Sequence, residues 1–266
     1  MATNHRIVLL TGNQLRHRYV AAQIAANLQL VGVLQEGTAK LVAKPEELSR
    51  DDRDVIDKHF SQRDAAERNL LGEEIPLPEV PVRQVEHGGS NTTPVSDWVQ
   101  SLRPDFVVLY GTSIIKDPLL SAYDGRMINI HLGLSPYYRG TGTNFWPLVD
   151  RCPECVGATI HLAVLKVDAG AILRQVRPDV QAGDGAHALG TKTIMAAVNA
   201  LPSVIGRFAV GELEPQTQDL SMGKVFRRKD FNADAVRTLW DNLSTGMIEE
   251  FLSDRIARLA KYPIVE

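Results

Sequence analysis

Apolar residues gather in short unbroken runs at the start of the chain. Ile7-Val8-Leu9-Leu10 and Leu30-Val31-Gly32-Val33-Leu34 are two such runs, separated by turn chemistry at Thr11-Gly12-Asn13 and helical spacing over 19–28. Runs this uniformly apolar suit parallel strands covered on both faces. Strand, helix and strand at this spacing predict a right-handed βαβ unit. The pattern changes over 44–74, where charged residues crowd the text and Val55, Ile56, Phe60 and Leu70-Leu71 recur at helical intervals. One or two amphipathic surface helices are predicted there, as an insertion over 40–75 and not a separate domain. Prolines at 76, 78 and 81 then impose an extended connection.

Alternation resumes beyond that connection. Strands are predicted over 82–85, 106–110 and 127–132, with a helix near 95–102 and a short one over 116–122. Thr143 is placed to cap a helix running to about 149. The stretches 156–165 and 171–177 read as strands meeting through Asp168-Ala169-Gly170, and a helix follows over 187–210. The tail carries an apolar-basic stretch over 224–229 and helices near 233–239 and 245–260. No period of 20–50 residues repeats. This order fits one α/β catalytic domain over 1–210, with a helical appendix over 211–266 packed on it.

Composition narrows the class. An apolar share of 44%, a charged share of 23% and a mean hydropathy of −0.12 are ordinary globular values. The net charge is −3 and the pI about 6.2, which argues against binding nucleic acid through phosphate neutralisation. No apolar run approaches the roughly 18–20 residues of a membrane span, and the start shows no secretory or transit pattern. A cytosolic enzyme without nucleic-acid or membrane partners is expected, and a homodimer is compatible with it. Cys152-Pro153-Glu154-Cys155 is a lone CxxC without the second pair that zinc requires, and reads as a surface loop.

The chemistry concentrates after residue 127. On a strand, side chains alternate faces, so Asn129 and His131 point one way while Ile128, Ile130 and Leu132 face the core. An amide and an imidazole thus arrive together at a strand's carboxyl end, where open α/β sheets place their ligand crevices. The next strand puts Thr159 and His161 on one face, and Asp168 follows in a Val-Asp-Ala-Gly turn. These residues alone also allow a metal hydrolase using His131, His161 and Asp168, or simply satisfied core polar groups. Thr11-Gly12-Asn13 with Arg16 opens a helix and is either an anion site or a plain βα turn.

The combination resembles the folate-dependent formyltransferases, a family that includes glycinamide ribonucleotide formyltransferase, the catalytic domain of methionyl-tRNA formyltransferase and nucleotide-sugar N-formyltransferases. Asn129-x-His131, the Arg139-Gly140 loop, Thr159-x-His161 and Asp168-x-Gly170 follow that family's pattern in order, and the resemblance covers about residues 5–210. It implies a Rossmann-like, mostly parallel sheet of the formyltransferase type. Two departures stand out: Leu132-Gly133-Leu134-Ser135-Pro136 replaces the frequent Pro-Ser-Leu-Leu-Pro, and Thr11-Gly12-Asn13 replaces the Gly-Ser-Asn phosphate turn of the purine enzymes.

The resemblance implies that a formyl group moves from 10-formyltetrahydrofolate to a primary amine through a tetrahedral intermediate. Asn129, His131 and Asp168 are then the catalytic residues, with Thr159 and His161 orienting them. The pterin is expected against Leu109, Tyr110, Gly111, Ile114 and Ile115 on one side and Leu165, Val167 and Gly170 on the other. Gly12, Asn13, Arg16, Tyr137, Tyr138 and Arg139 are candidate contacts to the amine substrate, although both tyrosines could equally pack their own loop. A nucleotide-linked amino sugar is the preferred acceptor. Glycinamide ribonucleotide formylation, formyltetrahydrofolate hydrolysis and metal-dependent hydrolysis are the alternatives, and no resident metal is expected.

Overall fold

The computed structural model describes residues 5–37 and 47–266. The first ten residues of the charged insertion therefore lie mostly outside the described residues. The chain opens with β1 (Arg6–Thr11), α1 (Leu15–Asn27) and β2 (Gln29–Glu36). A single long helix, α2 (Arg50–Leu71), occupies the rest of the insertion, capped by Ser49 Oγ accepting from the Asp52 N–H at 3.1 Å. Then come β3 (Val82–Val85), α3 (Thr93–Ser101), β4 (Phe106–Tyr110), α4 (Leu119–Ala122) and β5 (Met127–His131). A short β6 (Tyr138–Gly140) and α5 (Trp146–Val149) precede the pair β7 (Ala158–Leu162) and β8 (Ile172–Val176). The chain closes with α6 (Ala186–Ala209), β9 (Lys224–Phe226), α7 (Ala233–Ser244), α8 (Met247–Ser253) and α9 (Arg255–Ala260).

Seven strands form one sheet in the order β3-β2-β1-β4-β5-β7-β8. The first five are parallel, while β7 runs antiparallel to both β5 and β8. This is the mostly parallel α/β architecture that the apolar runs predict. Ile7, Leu9, Ile128 and Ile130 meet α1 and α6 on one face, and Val8, Leu10, Val107 and Met127 meet α3 on the other. Helix α6 is long and apolar enough by length and composition to cross a membrane, but Ile194, Val198, Leu201 and Ile205 are spent on the core. Because β2 and β4 lie on opposite sides of β1, the order of strands reverses there, and loops at the carboxyl ends of the strands splay apart.

Several local expectations change. The helix after Thr143 starts only at Trp146, because the Thr143 hydroxyl is engaged elsewhere. The stretch 245–260 is two helices broken at Asp254. The cysteines are not on a surface loop: Cys155 is buried and Cys152 half-buried, and burial pushes both thiols up, away from reactivity. The tail is tied to the loop after β5 by β9, which pairs in parallel with β6 in a separate two-stranded sheet. Its helices α7 and α8 pack Leu239, Met247 and Phe251 onto Leu148, Val156 and Leu189.

Candidate active site

A cleft of about 900 Å³ opens at the carboxyl ends of β1, β2, β4 and β5, a size typical of small-molecule sites. Its wall includes Gly12, Glu36, Gly111, Asn129, His131 and Asp168. The register of β5 on β7 sets Asn129 opposite His161 and His131 opposite Thr159. Two residues of alternation on each strand thus deliver four polar side chains to one place.

Hydrogen bonding fixes the state of this group. His161 is buried, and desolvation, helped by the neighbouring His131, pushes its pKa down to about 4, so the ring is neutral near pH 7. Its Nδ1 lies 2.8 Å from the Leu162 carbonyl oxygen, which can only accept, so Nδ1 carries the proton. Nε2 therefore accepts, and the Asn129 amide donates to it at 3.0 Å. Asn129 is held with its second amide hydrogen available to a ligand in the cleft. His161 has no lone pair left for a metal ion. Among the described residues no group of three or more His, Cys, Asp or Glu could hold one.

His131 is held from both sides. The Thr143 hydroxyl donates to the Leu132 carbonyl, so it accepts from His131 Nε2 at 3.2 Å. The Tyr138 carbonyl lies 3.4 Å from the same nitrogen. Nδ1 faces Asp168 Oδ1 at 3.3 Å. With Nε2 committed as a donor, Nδ1 is the nitrogen turned to the carboxylate. Gly133 makes the arrangement possible: a Cβ there would lie 2.6 Å from Thr143 and 2.7 Å from His131 Nε2. The unusual Gly after Leu132 is the space into which Thr143 closes.

Asp168 adopts a left-handed backbone, φ 48°, a conformation that Asp tolerates better than most residues. Its second oxygen accepts from the Gly140 N–H at 2.9 Å. Gln218, from the tail, donates to the carbonyls of Asp168 at 3.0 Å and Gly170 at 2.6 Å. Thr143 is singled out from sequence only as a helix cap, and Gln218 is not among the residues singled out. A Thr in a Gly-rich loop is the only local signal for the first, and none exists for the second. Thr159 sits behind the site, where its hydroxyl donates to the Gly133 carbonyl and accepts from the Ser135 N–H at 2.9 Å. It holds the loop that follows His131.

The remaining candidates divide. Leu109, Tyr110, Gly111, Ile114, Ile115 and Val167 line the cleft. Gly111 has φ 70°, and a side chain there would strike the His17 ring. Leu165 is 61% exposed and Gly170 packs under the Leu162 carbonyl, so these two are not part of the cleft wall. Tyr137 and Tyr138 are corrected to packing residues: Tyr137 donates to the Pro263 carbonyl at 2.8 Å, and buried Tyr138 donates to Asp150 at 2.9 Å. Arg139 turns inward to the Leu220 carbonyl. Arg16 borders the cleft but is paired with the buried Glu67 at 2.8 Å, which withdraws its charge from any phosphate. Gly12 lines the cleft and Asn13 is exposed. The His17 ring packs on Gly12 and accepts the Gln14 N–H at 3.0 Å, taking a donor an anion would need.

Comparison with known proteins gives the family and the fold. The formyl transferase family profile matches residues 38–205. The trifunctional purine biosynthetic protein adenosine-3 of Bos taurus is 27% identical over 138 residues, half of this chain but 14% of that protein. A solved glycinamide ribonucleotide transformylase from Symbiobacterium toebii shares the fold with TM-score 0.55 and 18% identity, over 81% of this chain and 93% of its own. A sugar N-formyltransferase from Shewanella shares it with TM-score 0.54 and 15% identity, over 85% and 78%. With a profile match over more than half its length, the chain belongs to the formyl transferase family.

Proposed function

We propose that this protein transfers the formyl group of 10-formyltetrahydrofolate to the primary amine of a small acceptor, with a nucleotide-linked amino sugar as the preferred acceptor class. The observation that carries the reading is the convergence of Asn129, His131 and Asp168 on a cleft that residues 109–113 also line. The Asn129 amide, oriented by His161, donates to the oxygen of the formyl carbon as the amine attacks and charge gathers on it. His131, with Nε2 held by Thr143 and Nδ1 by Asp168, places its imidazolium charge beside the same centre, and Asp168 takes the proton that the attacking amine loses and returns it to the folate nitrogen as that nitrogen's bond to the formyl carbon breaks. A donor aimed at a developing oxyanion contributes about 2.7–4 kcal/mol.

The engagement of Arg16 by Glu67 and of the Gln14 N–H by His17 weighs against a phosphoribosyl acceptor seated on the first turn of α1. The test is incubation with 10-formyltetrahydrofolate and a panel of nucleotide-linked amino sugars, read by mass spectrometry for one added formyl group. His131→Ala is expected to lower kcat by roughly 10²–10³-fold while donor affinity changes little. No formylated product from any amine, or near wild-type turnover in that variant, overturns the reading.

A further inference from the structure

Between α2 and α6 lies a second pocket of about 350 Å³ that shares Leu132, Gly142 and Phe145 with the catalytic cleft. Its walls are largely aromatic. Phe145 meets Trp146 and Phe231 edge-on, with ring centroids 5.0 and 5.2 Å apart. His59 from α2 and His187 from α6 face each other here, centroids 4.5 Å apart.

The two imidazoles are not fully satisfied. His59 is 5% exposed, yet its Nδ1 has no hydrogen-bond partner, and neither has the buried Nε2 of His187. Desolvation pushes His59 to about 3 and His187 to about 4, and the nearby Arg63 lowers both further. Both rings are uncharged near pH 7. Buried nitrogens without partners carry a desolvation cost that a bound group with a matching donor or acceptor would relieve. Two of the arginines that line it are paired: Arg16 with Glu67 at 2.8 Å and Arg63 with Asp64 at 2.7 Å. A cation would meet these arginines, and an anion would compete with their carboxylates.

We propose that this pocket selects the acceptor by holding an uncharged planar ring with a hydrogen-bonding substituent directed at His59 and His187, while the acceptor's amine reaches the adjoining cleft. The inference rests on the formyltransferase reading and adds to it the part of the acceptor that is recognised. A pocket of this size suits a single ring system. The same chemistry is offered by a phenolic amine or by the base of a nucleotide. Gly190 of α6 borders the pocket, and a Cβ built there meets no atom within 4 Å, so a side chain at this position starts in open space.

Wild type, Gly190→Ala and Gly190→Leu should be titrated with tyramine and with uridine while the ring signals of His59 and His187 are followed by NMR. At least one compound is expected to shift both histidines in wild type, and which one does so identifies the source of the ring. Gly190→Leu should weaken that binding at least tenfold, with Gly190→Ala between the two. No shift with either compound, or equal binding by wild type and Gly190→Leu, overturns the proposal. In parallel, formyl transfer from 10-formyltetrahydrofolate to tyramine and to n-butylamine is compared. A ring preference of roughly 10- to 100-fold that Gly190→Leu abolishes is expected if tyramine is the better ligand. Formylation of both amines by wild type with no preference overturns the pocket assignment despite tyramine binding. Histidine shifts without formylation of any amine leave the pocket standing and count against the activity.

Discussion

Two neighbouring groups of polar side chains in this molecule are built on opposite terms. At the end of β5 and β7, each ring nitrogen of His131 and His161 faces a protein partner: Asp168, Thr143, Asn129 or a main-chain carbonyl. Between α2 and α6, His59 is buried and His187 half-buried among aromatic rings, and one nitrogen on each has none. The first group is complete without a ligand, as preorganised transition-state stabilisation requires. The second is incomplete by the same rule, because burial penalises a polar atom whatever its purpose. On the two proposals above, the difference is that between a site that acts and a site that selects.

The strongest way to break that comparison is to remove the acid–base partner without changing its shape. Asp168→Asn keeps an oxygen for the Gly140 N–H, now accepted at 2.9 Å, so the turn and the cleft should survive. The amide cannot take up the proton that the attacking amine loses. Turnover is expected to fall by roughly 10²–10⁴-fold with donor affinity retained, measured by steady-state kinetics beside calorimetry. Added zinc, manganese or magnesium should not restore it, since His161 Nε2 is already occupied by Asn129. Rescue by any of these ions would return the metal-hydrolase reading.

Acid stability sharpens the comparison next. His161 and His187 are pushed to about 4 and His59 to about 3, in each case chiefly by burial, and His17 is lowered for the same reason. Below the ordinary histidine value of about 6.5, the unfolded chain takes up protons that the folded one refuses. Stability is therefore expected to be level above that pH, to fall as pH drops towards 4, and to level off only once the folded rings protonate. Thermal melts across this range should show it, at about 2–4 °C for each kcal/mol lost. His59→Phe should flatten the slope without loss at neutral pH, because its Nδ1 gives up no bond. His161→Phe should also flatten it, but at the cost of the Asn129 partner and of turnover. A His59→Phe melt as steep as wild type would remove that ring from the account.

What was legible in the sequence follows the range of the forces involved. Strands Val82–Val85 and Phe106–Tyr110 can be read residue for residue, the first from its alternating pattern behind the prolines and the second as an unbroken apolar run buried on both faces. Strand alternation brings Asn129 and His131 together, and the spacing to Asp168 reflects one hairpin. Pairings between distant segments leave no such mark. Arg16 looks like a free cation beside a helix start until Glu67, fifty-one positions away, takes it. Tyr137 looks like a cleft wall until the chain's last residues supply Pro263 as its acceptor. The insertion reads as a solvated surface, yet its His59 is buried against α6, because charged positions hide a narrow apolar face.

Thr143 offers the smallest and most discriminating test. It stands twelve residues after His131 on a loop, and only the missing side chain at Gly133 lets it approach. Its hydroxyl accepts from His131 Nε2 while donating to the Leu132 carbonyl, so it fixes which nitrogen of His131 remains for Asp168. Thr143→Val keeps the shape and removes the acceptor. One neutral hydrogen bond is worth about 0.5–1.5 kcal/mol, so kcat is expected to fall by roughly 2- to 10-fold with KM nearly unchanged. A purely structural Thr would alter stability and leave the pH dependence of kcat in place. A positioning Thr should move the pH profile, because without it Nε2 is free to exchange roles with Nδ1. Thr143→Ser, which retains the hydroxyl, should restore both rate and profile. If Thr143→Val and Thr143→Ser behave alike, the hydroxyl has no part in holding His131, and the catalytic group is narrower than its geometry indicates.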